Sequence, residues 1–117
     1  MKITLGLCVV VALCTTRLAT ADDGAPSRGK TVFSNWCAPC HGAGPGHPGT
    51  VALSIKYGPS KPAELERRTD LTAEVVKVFV RQGFSVMAPF RKTEISDEEL
   101  KDLATYLVRT NKKSRNP

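Results

Sequence analysis

The sequence predicts a small all-α domain, and three observations carry that reading. Two segments in the second half of the chain open with the same helix-start signal and continue with apolar residues at helical spacing. No segment alternates apolar and polar residues over a strand's length. Residues 42 to 63 hold 5 Gly and 4 Pro, which reads as one long irregular loop between helices. With 117 residues the chain is one compact unit, too short for a multidomain enzyme with its own substrate cleft.

The first element stands outside that unit. Met1 and Lys2 precede an apolar run of 12 residues, Ile3 to Cys14, too short to span a bilayer as a helix. Polar residues follow and end in Ala19-Thr20-Ala21, so residues 1–21 read as a secretory signal peptide cut after Ala21. Leu13 stands before Cys14 where a lipoprotein would carry a small residue. The remaining 96 residues contain 15 basic and 11 acidic side chains, a net charge of +4 against +6 for the whole chain. Arg109, Lys112, Lys113 and Arg115 account for that excess, so the body at 22–110 is nearly neutral and 111–117 forms a basic, flexible tail. This charge pattern argues against a nucleic-acid surface, and no membrane span is expected after cleavage.

Within the body, Pro26 can enter a first helix over 26–33, with Val32 and Phe33 on its apolar side. A second helix, over 73–82, starts at Thr72 as N-cap with a staple between Leu71 and Val76. It places Val75, Val76, Phe79 and Val80 on its apolar side and stops at Gly83. A third, over 97–109, repeats the start with Ser96, Ile95 and Leu100 and adds a capping box from Ser96 to Glu99. Its apolar stripe is Leu100, Leu103, Ala104, Leu107 and Val108, and Tyr106 can pack where Gly29 lets the first and last helices cross closely.

Cys8 and Cys14 leave with the signal, and Cys37 and Cys40 remain. They stand in Trp36-Cys37-Ala38-Pro39-Cys40-His41, and Cys-x-x-Cys-His is the attachment signature of c-type haem. Two thioethers from one helical turn pin the porphyrin edge, and the next residue, His41, lies under the iron as an axial ligand. Met87, 46 residues beyond His41, is the one methionine left after cleavage. It sits in the short loop Phe84-Ser85-Val86-Met87-Ala88-Pro89-Phe90, opened by Gly83 and stiffened by Pro89, and is read as the second axial ligand rather than core filler. His47 is only six residues from His41, a reach of about 20 Å at full extension. It reads as a solvent-exposed loop histidine. The loop over 42–63 would pass over a haem edge, and burial of the haem's apolar faces would complete a core that is marginal alone.

Two other chemistries use these residues. Trp-Cys-x-Pro-Cys also opens the active site of thioredoxin-like oxidoreductases, and an exported thiol-disulfide oxidoreductase working through Cys37 and Cys40 is the alternative. That chemistry needs an apolar strand before the motif and a helix beginning at it, whereas residues 22–36 are mostly polar and a Gly/Pro run follows Cys40. A zinc site from Cys37, Cys40, His41 and His47 ranks lower, because adjacent Cys40 and His41 poorly suit a tetrahedral knuckle. A haem protein with an open iron, as a sensor or peroxidase, is the third class.

Gly29 and Phe33 on the first helix, Cys-Ala-Pro-Cys-His at 37–41, Met87-Ala88-Pro89-Phe90 and Tyr106 on the last helix make the chain resemble class I cytochromes c over nearly all of residues 27–109. The resemblance implies a helical domain wrapped around one covalent haem c, a Met-bearing loop that closes the distal face, and a loop proline carbonyl that accepts a hydrogen bond from the proximal histidine. Pro45 and Pro48 both qualify for that role. Ala88 replaces the first of two prolines common after the methionine. More narrowly, the segments at 46–50, 67–72 and 89–95 resemble the cytochrome subunits of periplasmic flavocytochromes of the 4-cresol methylhydroxylase and eugenol hydroxylase type. That likeness implies a periplasmic electron-transfer protein, not itself an enzyme. It would accept single electrons from a dehydrogenase, a flavoprotein subunit oxidising 4-alkylphenols, and pass them to a downstream acceptor. Lys56, Tyr57, Trp36, Arg81 and Arg91 are candidates for haem propionates or partner contacts, and Val51, Leu53 and Ile55 could supply an apolar docking patch.

Overall fold

A computed structural model describes residues 24–115, so the expected signal segment and its cleavage point lie outside the described residues. Five α-helices form the domain: α1 (Gly24–Val32), α2 (Ala38–His41), α3 (Pro48–Tyr57), α4 (Ala73–Gln82) and α5 (Asp97–Arg115), with no strand among the described residues. The all-α expectation holds.

Helix α1 begins two residues ahead of Pro26 and runs on through a wide turn, Phe33–Cys37, into α2. In that turn the Ala38 N–H donates to the Phe33 carbonyl, a five-residue spacing in place of four. One extra residue per turn puts Cys37 on the same side as Val32. Val32, Phe33 and Cys37 all join the core, while Trp36 and Cys40 are exposed.

Helix α5 is the axis of the core. Leu100, Leu103, Ala104, Tyr106 and Leu107 are buried on it, and Ile95 just before it is fully enclosed. A fully buried Leu or Ile contributes about 2–3 kcal/mol relative to exposure. The expected capping box is present: the Ser96 N–H donates to Glu99 Oε2 (2.8 Å) and the Glu99 N–H to Ser96 Oγ (3.2 Å). Thr72 caps α4 in the same manner, accepting from the Val75 N–H at 3.2 Å. The last helix continues past 109 to Arg115.

Helix α1 packs chiefly on α5, and Gly29 is where they cross. A Cβ added at Gly29 would lie 2.6 Å from the Asp102 carbonyl carbon and 2.7 Å from Tyr106 Cβ. Beside the crossing, the Phe33 and Tyr106 rings meet at 6.0 Å, and Arg28 Nε pairs with Asp102 Oδ2 at 2.6 Å.

The stretch at 42–63 is not one irregular loop. It contains α3 and a tight turn at Gly58–Ser60. Its Gly and Pro residues crowd the borders of a helical segment: Pro48 occupies the first turn, where its missing N–H costs nothing, and Gly58 ends the helix at φ +53°. Thr50 to Tyr57 contain neither residue, and averaging composition over the whole window hides that run.

Candidate functional site

The wide turn and α2 carry the Cys-x-x-Cys-His motif. Cys37 and Cys40 are free thiols, the first buried and the second exposed. Burial, and then the neighbouring Cys40, push the Cys37 thiol up to about 11. An attacking thiol in a redox-active Cys-x-x-Cys pair needs the opposite shift.

His41 is half-buried at the end of α2, and burial lowers its pKa, favouring the neutral ring. Its Nδ1 is buried and has no hydrogen-bond partner. Neither Pro45 nor Pro48 therefore supplies the expected carbonyl. A Cβ at Gly49 would lie 2.7 Å from His41 Cε1 and 2.9 Å from Nδ1. The ring is thus walled by the backbone at the start of α3. Thr50 Oγ1 donates to the Gly42 carbonyl at 2.7 Å and ties α3 to the end of the motif.

His47 is half-buried rather than fully exposed. Its Nδ1 lies 3.2 Å from the Pro39 carbonyl oxygen, and its ring occupies the space a side chain at Gly42 would need. It braces the motif loop. Among the described residues no group of three or more His, Cys, Asp or Glu side chains is placed to hold a metal ion.

Met87 sits in the loop between α4 and α5. Gly83 opens it at φ +68°, and a Cβ there would run into the Met87 carbonyl and lie 2.9 Å from Pro89 N. Only glycine allows this close return. The Phe84 N–H donates to the Met87 carbonyl and the Met87 N–H to the Phe84 carbonyl, both at 2.9 Å, across a two-residue turn with Ser85 at φ +54°. Met87 is half-buried, whereas Val86 at the tip is 97% exposed.

The apolar stripe of α4 is divided. Val76 and Val80 face the core, but Val75 and Phe79 are exposed, and Phe79 meets the exposed Phe84 ring at 6.0 Å. Lys56 Nζ, at the end of α3, lies 5.1 Å from the Phe84 ring centre. The end of α3 and the Met87 loop are therefore neighbours, with exposed Val51 and Ile55 also on α3.

Of the residues expected to meet propionates or partners, Arg81 is otherwise engaged. It bonds the Phe90 and Ile95 carbonyls and Asp97, all within its own region of the fold. Trp36 packs edge-on against Phe90 at 5.8 Å, and Arg91 pairs with Glu94 at 3.4 Å. Tyr57 lies among three cations, Lys56, Lys61 and Arg68, whose charged groups are 5.6, 5.3 and 4.8 Å from its ring centre. Arg68 stands next to Arg67 in a charged stretch, where the sequence alone does not tell a buried arginine from a solvated one. Its side chain is only 7% exposed and forks onto Asp70 with bonds of 2.6 and 2.8 Å.

Those bonds from Arg68, followed by one from Lys61, hold the Asp70 carboxyl well below the usual carboxylate range. A carboxyl with a lowered folded-state pKa stabilises fully above its unfolded value, about 3.9, and that contribution is lost as pH falls through the folded value. Asp70→Asn is expected to cost about 1–2 kcal/mol at pH 7, less than the roughly 3 kcal/mol of a fully buried pair because Asp70 is over a third exposed. The acid limb of its stability curve should also be shallower than the parent's. Urea titrations at pH 7 and between pH 4 and 2 read both effects, and parallel curves would contradict this account.

A family model described as cytochrome c oxidase, cbb3-type, subunit III matches residues 24–107, the span of α1 through most of α5. The chain belongs to this family of cytochrome c domains. No curated protein and no solved structure gives a significant match. As a cytochrome c domain it is a haem-binding electron-transfer protein with a covalently attached c-type haem, and it works with electron-transfer partners rather than as an enzyme on its own. No helix among the described residues is long and apolar enough to cross a membrane.

Proposed function

We propose that this cytochrome c domain carries a single haem, attached through Cys37 and Cys40, with His41 and Met87 as the two axial ligands. We further propose that it is exported to the periplasm. There it takes single electrons from a dehydrogenase, a flavoprotein oxidising 4-alkylphenols, and passes them to a downstream acceptor. The observation that carries the haem assignment is His41 itself. It directly follows Cys40 on the helical run that bears both thiols, and its ring is held against the Gly49 backbone with a buried nitrogen left unpaired.

The exposed apolar side chains agree with this reading. Phe79 and Phe84 meet beside the Met87 loop, with exposed Val75 one turn before Phe79 on α4, and in a finished core such residues would be covered. A flat apolar cofactor is the cover the family requires. When bound, haem would supply reversible one-electron chemistry at iron, and ligation by Met87 and His41 would favour the reduced state. The protein's own residues hold ring and ligands in place, exclude water and present a docking surface. Burial of Cys37, the thiol that would have to attack, speaks against the alternative of thiol-disulfide exchange.

The test is a visible and near-infrared spectrum, in both redox states, of protein exported from a strain able to mature c-type cytochromes. A c-type reduced spectrum whose haem survives denaturation is expected, and Cys37→Ala/Cys40→Ala should abolish it. A colourless protein with two titratable thiols would overturn the haem assignment. Rapid mixing with a reduced flavoprotein 4-alkylphenol dehydrogenase tests the partner separately, and absence of electron transfer would remove that partner while leaving the haem reading standing.

A further inference from the structure

Arg81 ties down the far end of the loop that carries Met87. Arg81, 23% exposed near the end of α4, donates through Nη1 to the Phe90 carbonyl at 3.1 Å. Its Nη2 donates to the Ile95 carbonyl at 2.9 Å and to Asp97 Oδ1 at 3.0 Å. The Phe90 N–H donates to the Val80 carbonyl at 2.8 Å, so both polar backbone groups of Phe90 are held by consecutive residues of α4. The near end of the loop is covalently fixed at Gly83. Phe90 also stacks edge-on against Trp36 at 5.8 Å, and Trp36 precedes Cys37. A continuous set of contacts thus runs from Arg81 through Phe90 to the helical turn that holds the Cys-x-x-Cys-His motif.

We propose that Arg81 is a positioning residue for the Met87 loop, setting how firmly that loop stays closed over the motif helix. This rests on the reading of Met87 as an axial ligand. A planar guanidinium suits the task because it reaches three acceptors in fixed directions, which an ammonium cannot do. Neutralising it would leave the Phe90 and Ile95 carbonyls without this donor and weaken one end of a loop otherwise held by the Phe90–Val80 backbone bond and the Phe84–Met87 backbone pair.

Imidazole binding to the ferric holoprotein tests the inference, because an added ligand can enter only when Met87 has left. Its apparent affinity scales with the fraction of molecules whose loop is open. Arg81→Gln is expected to tighten imidazole binding by about tenfold or more. Its Met-dependent charge-transfer band should also vanish at lower urea than the helical circular dichroism. Arg81→Lys, which keeps the charge but not the fork, should fall between, and it decides the matter if Arg81→Gln does not mature. Lys101→Gln, an exposed site on α5, serves as control and should match the parent. Parental imidazole affinity and parental band loss in a folded Arg81 variant would overturn the proposal. Met87→Ala separates the two readings: if it keeps the band, the ligand assignment falls and this inference with it. If it loses the band while the Arg81 variants behave as the parent, this inference alone falls.

Discussion

Gly29→Ala is expected to destabilise the domain by about 2 kcal/mol or more, although alanine is the better helix former. Overpacking a tight contact costs roughly 1–3 kcal/mol and sometimes more, while the gain in helix propensity offsets only about 1 kcal/mol. The high end applies here because the obstruction is backbone. The new Cβ would collide with the Asp102 carbonyl, and neither that group nor Tyr106 Cβ can swing aside by a rotamer change. Helices α1 and α5 would have to move apart, opening the Phe33–Tyr106 contact and the Arg28–Asp102 pair together. Urea unfolding of Gly29→Ala against Lys30→Ala, an exposed neighbour, measures the effect. If the two variants share one midpoint, the crossing is not as close as described.

Met87→Ala should change spectrum and potential with little effect on the backbone. The turn that carries Met87 is closed by main-chain bonds to Phe84 and by the return past Gly83, neither of which needs the thioether. Loss of the near-infrared charge-transfer band is therefore expected without loss of helical signal. The reduction potential should drop by a sizeable part of the roughly 0.8 V range that axial ligands span. Val86→Ala, one residue away and almost wholly exposed, should leave both unchanged. An unaltered spectrum in Met87→Ala would mean another sixth ligand. His47 is a poor substitute, since its ring is already committed to the Pro39 carbonyl and the space beside Gly42.

The two capped helices show how far local pattern reaches. Thr72 and Ser96 are visible as caps in the linear sequence because the capping bond spans only three residues, and both bonds are present. The Gly29–Tyr106 crossing was also legible, since a missing side chain on one helix facing a ring on another is a simple complement. Helix α3 was not. Its flanking Gly and Pro residues dominate any average over 42–63, and the helix is seen only when each breaker is placed at a border.

Arg81 and Arg68 mark the deeper limit. In sequence both are surface-type cations, and Arg81 is a candidate for a cofactor or partner contact. The fold assigns Arg81 to the carbonyls of Phe90 and Ile95, 9 and 14 residues away, and buries Arg68 between Asp70 and the Tyr57 ring. The sequence by itself determined the helical class, the capped helices and the order Cys37, Cys40, His41, because those rest on contacts within a few residues. Only the tertiary structure decided that His41 lies against Gly49 with an unpaired nitrogen, that half of α4's apolar stripe is uncovered, and which cations are spoken for. These depend on groups distant in sequence meeting in space, and the identity of a residue does not say which neighbour it will find.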